Sequence, residues 1–169
     1  MNKDNKGVTL VELMVVIAIM VVLSSIVFLG AGMLSGKKAR ECTDRLKIAL
    51  TNDRTTAMGK YDMVAILYAE ADGTIFLEEQ IYNTATDIVT KRTRIGDSSV
   101  AVTYSNDGTE PVNALTSSGV TIRFDRSTGG LKDTTGSLWV KASKAGRSYY
   151  LHVYQITGKI EVVEEFTDD

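Results

Sequence analysis

Residues 13–34 form a run of 22 residues without a charge, and the residue just before the run is a carboxylate, Glu12. Ser24 and Ser25 are its only polar interruptions. As a helix rising about 1.5 Å per residue, the run would be roughly 33 Å long, enough to cross a bilayer. The hydrophobic core of a secretory signal is shorter, about 7–15 residues, and ends at a small-residue cleavage site. A plain membrane anchor fits the length but gives Glu12 no purpose. A glutamate in lipid costs on the order of 2–3 kcal/mol, so a charge at this place points to a task.

The run is preceded by a short charged leader, Met1–Gly7, and by the sequence Gly7-Val8-Thr9-Leu10-Val11-Glu12-Leu13. This segment resembles the class III signal of type IV prepilins and type II secretion pseudopilins. The resemblance implies that Gly7 is the last leader residue and that the chain is cut between Gly7 and Val8. Val8 then becomes the N-methylated terminus, and Glu12 is the carboxylate at the fifth mature position. Val8 stands where phenylalanine is usual in that family. The implied partners are a prepilin peptidase and N-methyltransferase, an assembly platform with its ATPase, the membrane, and sister pilin or pseudopilin subunits.

Glu12 has a physical reason in that setting. Cleavage leaves a positive amine on Val8 at the edge of the apolar segment. Packed among apolar helices, an amine and a carboxylate each need a partner. Glu12 of one subunit and the Val8 amine of a neighbour neutralise each other and set the axial register. A salt bridge within one chain and a protonated Glu12 are the alternatives. The loop charges point the other way in orientation. Lys3 and Lys6 oppose Asp4 in the leader, while Lys37, Lys38 and Arg40 follow the run, so a positive-inside count favours an external leader. The prepilin resemblance places the leader in the cytoplasm and the head outside, first as a single-pass membrane protein and then in an extracellular or periplasmic fibre.

The chain of 169 residues holds the apolar helix and one further domain. Removing Lys3, Lys6 and Asp4 from 19 basic and 21 acidic residues leaves 17 and 20, which is no footprint for nucleic acid. Cys42 is the single cysteine, so no disulfide can form within the chain. It reads as a small apolar helix residue, with a Cys42-linked dimer as the alternative.

The helix is expected to continue past the apolar run. Ala39, Cys42, Leu46, Ala49, Leu50 and Ala57 recur at helical spacing, with Lys38, Arg40, Glu41, Asp44, Arg45, Lys47 and Arg54 between them. The pattern fades at Met58-Gly59, which predicts one helix over about Thr9–Met58. Gly30, Gly32 and Gly36 sit at the junction and serve either an extensible point or close helix packing. From Lys60 the pattern changes to strands: Tyr61–Ala69, Thr74–Tyr82, Ile88–Ile95, Val100–Ser105, Val120–Asp125, Leu138–Ala142, Tyr149–Ile156 and Lys159–Val163. Asp72-Gly73 and Thr157-Gly158 read as two-residue hairpin turns, and Asn106–Gly119 as a loop around the sole proline, Pro111. The expected fold is α+β: a long N-terminal helix packed on an antiparallel β-sheet head. The expected divisions are a leader at 1–7, a membrane and fibre-core helix at 8–36, an amphipathic helix at 37–59 and a β-rich head at 60–169.

Gly119–Asp125, then Ser127-Thr128-Gly129-Gly130, then the closing Tyr149–Val162 hairpin with Thr157-Gly158-Lys159-Ile160 resemble the last part of H-type minor pseudopilins and related minor pilins. This resemblance implies a minor subunit, with a major pilin as the alternative.

Other chemistry finds little support. There is no nucleophile elbow, phosphate-cradling glycine motif or metal-ligand cluster, and the lone histidine, His152, reads as a strand residue. The chain therefore reads as no enzyme, with no cofactor. Asp125, Asp133, Asp168 and Asp169 meet no calcium spacing rule and read as solvated loop acids. DNA capture for uptake is the rival role. It needs a basic stripe, for which the candidates are Lys91, Arg92 and Arg94, and Lys141, Lys144, Arg147 and Lys159. Glu161, Glu164, Glu165, Asp168 and Asp169 argue against it. The expected role is a structural subunit, minor rather than major, of a type IV pilus or type II secretion pseudopilus.

Overall fold

A computed structural model describes residues 10–59, 61–83 and 87–167, with the side chains of 25–35 excepted. It forms one helix, α1 (Leu10–Gly59), followed by ten strands. The chain divides into two compact units, Met1–Leu34 and Ser35–Asp169.

In the first unit, residues 10–24 are helical and exposed on every face. Leu10, Val11, Leu13, Met14, Ile17, Met20 and Leu23 are among its exposed apolar side chains. Among the described residues no helix is long and apolar enough to cross a membrane. The crossing helix expected over Leu13–Leu34 lies partly outside them, because the side chains of 25–35 are not described.

In the second unit, Ala39, Cys42, Leu46, Ala49, Leu50 and Ala57 are all buried in one core, as their helical spacing requires. That core is shared with two five-stranded sheets. β1 (Asp62–Ala69), β2 (Ile75–Tyr82), β3 (Ile88–Gly96), β6 (Val120–Phe124) and β7 (Leu131–Lys132) form the first, in the order β3-β2-β1-β6-β7. β4 (Ala101–Ser105), β5 (Asn113–Ala114), β8 (Leu138–Lys144), β9 (Arg147–Val153) and β10 (Ile160–Val163) form the second, in the order β10-β9-β8-β4-β5. Every pairing is antiparallel. Strand alternation supplies the rest of the core: Met63, Ala65 and Leu67 from β1, Ile75 and Leu77 from β2, Val140 and Ala142 from β8, Leu151 and Val153 from β9.

Several expected boundaries differ. Asp72-Gly73 is not a two-residue turn. Glu70 and Thr74 bracket a three-residue loop, closed by Gly73 N–H to Glu70 O at 2.9 Å and Glu70 N–H to Thr74 O at 2.9 Å. Gly73 takes φ 81° there, the left-handed residue that ends such a loop, and Asp72 accepts from the Thr74 amide at 2.8 Å. The β9–β10 connection is likewise longer than Thr157-Gly158. It runs from Tyr154 to Lys159 and is closed by Tyr154 N–H to Lys159 O at 3.0 Å. β9 therefore ends at Val153 rather than Ile156. The 106–119 loop contains the short strand β5, and β7 follows the 125–130 turn; two-residue strands carry no periodicity from which to read them.

Candidate assembly site

Glu12 lies in the first turn of α1 and is exposed. Gly7 and Val8 lie outside the described residues.

The head carries a second set of polar contacts, which join α1 to the sheets. Arg54, a solvent-face position by helical spacing, is half buried. Its Nε donates to Gly129 O at 3.0 Å and its Nη2 to Thr157 O at 2.9 Å. It thereby joins the end of α1 to the 125–130 turn and the β9–β10 turn. These turns also touch each other: Leu131 N–H donates to Gln155 O at 2.7 Å. A Cβ on Gly158 would lie 1.7 Å from Gly129 O, and Gly158 has φ 61°. The two glycine motifs of the sequence resemblance thus meet in space, and Arg54 clasps both. Asp125 organises its own turn, accepting from the amides of Ser127 and Thr128 at 2.9 Å each. The Ser127 hydroxyl and those amides hold its carboxyl well below the usual range. Asp133 pairs with Arg123 at 3.2 Å instead of facing Asp125. Among the described residues no group of acids, histidines or cysteine is gathered for a metal.

Further along α1, Asp53 and Glu79 of β2 are both buried, at 2% and 4% exposure. Burial, and next the hydrogen bond to Glu79, push the Asp53 carboxyl up to about 8. This shift favours the protonated form of Asp53; Glu79 beside it receives Thr93 Oγ1 at 3.0 Å and Lys91 Nζ at 3.0 Å. Helical spacing assigned neither Asp53 nor the buried Thr43 to the core, because both are polar. Lys38 reaches Asp97 at 2.7 Å, which lowers the Asp97 carboxyl. Cys42 is 3% exposed, and burial raises its thiol to about 12, so it packs as an apolar residue and not as a dimer link.

His152 is buried beneath Trp139, with rings stacked 3.8 Å apart, and beside Tyr154. Phe166 meets the same tryptophan edge-on at 4.9 Å. The basic residues considered for DNA do not form one stripe. Lys91, Arg92 and Arg94 are on the first sheet, and Lys141, Lys144 and Arg147 on the second. Most are engaged locally: Lys91 with Glu79, Arg92 with Glu70 and over the Phe76 ring, Lys144 with Ser99, and Lys159 with Glu161.

A long helix followed by an antiparallel two-sheet head is a pilin-like α+β architecture. Residues 2–28 match the family model of the prokaryotic N-terminal methylation motif, the type IV prepilin and pseudopilin signature. Comparison with curated proteins and with solved structures yields no match. The motif is that of a structural pilin and not of an enzyme family. It supports a type IV pilin or pseudopilin that is processed by prepilin peptidase and assembles with other pilins. It also implies a membrane-anchored state followed by a place in the pilus.

Proposed function

We propose that this chain is a minor structural subunit of a type IV pilus or type II secretion pseudopilus. It is cut between Gly7 and Val8, N-methylated on Val8 and assembled through its N-terminal helix. The observation that carries this reading is the methylation motif at 2–28, within which residues 10–24 are helical and expose apolar side chains on every face. Such a surface is not left in water, and lipid and then neighbouring apolar helices are its natural cover. Within that cover Glu12 takes the Val8 amine of a neighbour and sets register. The minor-subunit assignment rests on the two glycine turns that meet at Arg54, whose sequences resemble those of H-type minor pseudopilins. DNA capture is disfavoured by the division of the cations between two sheets and their local acidic partners.

The deciding experiment is the mass and N-terminal sequence of the mature protein from its native cell. A start at N-methylated Val8 is expected. An intact Met1, or a cut beyond Leu34, would overturn the reading.

A further inference from the structure

Gly36 is buried, and the β8–β9 turn lies against it: a Cβ on Gly36 would stand 2.7 Å from Arg147 Cδ. That turn is Ala145-Gly146, at φ 51° and 78°, between the paired Lys144 and Arg147. A second set of contacts fixes the same neighbourhood. Lys38 donates to Asp97 at 2.7 Å, Asp97 also accepts from the Ser99 hydroxyl, and Lys144 donates to Ser99 Oγ. Lys37, Lys38 and Arg40 of α1 are thereby gathered with Lys144 and Arg147 of the hairpin at one end of the head.

The acids at this end are matched within the chain. Asp97 is held by Lys38 and Glu41 by Arg45. The β1–β2 loop, which meets Ser98 at Gly73, adds Glu70 and Asp72, and these face Arg92 and Arg94. Glu164 and Glu165 are set back, since Val163 before them pairs with Tyr150, three residues along β9 from Arg147. The cations are in excess. Lys37 and Arg147 are exposed, and their side chains make no hydrogen bond or ion pair among the described residues. Lys144 has a neutral partner in Ser99, and Arg40 reaches Asp44 loosely, at 3.9 Å.

This excess begins three residues after Leu34, the end of the uncharged run. At a helical rise of about 1.5 Å per residue, Lys37 and Arg40 follow the run by about 5–9 Å. The headgroup layer of a bilayer is about 5–7 Å deep on each face. We propose that this basic end of the head binds the anionic phospholipid headgroups of the leaflet from which α1 emerges. The contact presupposes the membrane-stored pilin reading above and adds the partner of the head in that state. Cations close to an anionic lipid surface are drawn to it, and long side chains extend along the interface to reach it. Lys37, Lys38 and Arg40 are the residues that a positive-inside count sets against an external head, and headgroup binding gives them a task on the outside. Exposed ion pairs hold weakly, which leaves the head free to lift away when the subunit enters a fibre.

The test uses the full-length chain in lipid nanodiscs, one set of phosphatidylcholine alone and one with an equal part of phosphatidylglycerol. Cys42 is buried, so Ala145→Cys offers one reactive thiol for a fluorophore, at a position that already carries a Cβ at positive φ. A quencher on the lipid headgroups reads how near the turn lies. Quenching is expected to be at least twofold stronger in the phosphatidylglycerol discs and to fall to the phosphatidylcholine level in half-molar salt. Lys37→Glu with Arg147→Glu should remove the difference. Lys47→Glu with Lys132→Glu, the same change of charge farther from the run, should keep it. Equal quenching in the two lipids, a difference that survives salt, or one that survives the Lys37 and Arg147 reversal would overturn the proposal. The salt readout leaves every charged residue in place, so it decides even where a variant does not fold. The mass of the native chain is read alongside. A chain trimmed to Val8 without lipid dependence sinks headgroup binding alone, whereas an untrimmed chain with it sinks the pilin reading and leaves the contact standing.

Discussion

At the residue scale, two side chains on one helical turn carry consequences that their sequence neighbours do not share. Burial and the neighbouring Glu79 push the Asp53 carboxyl up to about 8 in the folded state, against an ordinary value of 3.8. Between those values the folded chain binds the extra proton, so its stability falls as pH rises through the window and levels off above about 8. Asp97 and Asp125 act with the opposite sign: their carboxyls are lowered, and the stability they add is lost as pH falls below the ordinary carboxylate value. Asp53→Asn keeps a donor toward Glu79 without a titrating proton. The variant is expected to lose the decline between pH 5 and pH 8 in urea midpoint that the parent shows, measured on detergent-solubilised full-length protein. The neighbouring Arg54 makes two charged hydrogen bonds to backbone carbonyls. Arg54→Ala should destabilise the head by about 1–3 kcal/mol, and Arg54→Lys by less, in the same unfolding assay. Equal losses for the two would show that the forked geometry contributes nothing.

At the element scale, the second sheet has two covered faces. Its inner face, with Leu138, Val140, Leu151 and Val153, joins the main core. Trp139, Tyr150 and His152 alternate to the other face, where Phe166 lies against Trp139 and Tyr150. The segment after β10 thus shields the single tryptophan of the chain. Phe166→Ala is expected to shift Trp139 emission to longer wavelength and raise its quenching by iodide, with a stability loss of about 1–3 kcal/mol. Unchanged emission would mean that the segment does not protect the ring. The strands themselves were largely legible, since alternation over five or more residues locates β1, β2, β3, β6 and β8 closely. The turns were less so. Asp-Gly reads as a tight hairpin, yet the Ala69↔Ile75 register leaves room for a longer loop, and register is a property of the pair rather than of either strand.

At the scale of the whole molecule, the N-terminal helix and the head answer to different surroundings. Residues 10–24 are exposed, while the stripe of α1 from Ala39 to Ala57 is part of the head core. A change confined to Glu12 should therefore separate assembly from folding. Glu12→Ala is expected to leave the protein in the membrane at normal abundance, with a folded head, and to remove it from sheared fibres by at least tenfold; immunoblots of the two fractions check this. Normal entry into fibres would show that Glu12 does not set register.

The apolar run, its glutamate, the amphipathic stripe from Ala39 to Ala57 and the α+β order were readable from the chain, because each is a local pattern with a helical or strand period. Only the tertiary structure decided that Asp53 and Glu79 are buried side by side, that Arg54 holds two turns far from it in sequence, and which strands lie at the sheet edges. The physical reason is the same in each case. Polar residues enter a core only when a distant partner satisfies them, and an edge exists only once the order of the strands is set.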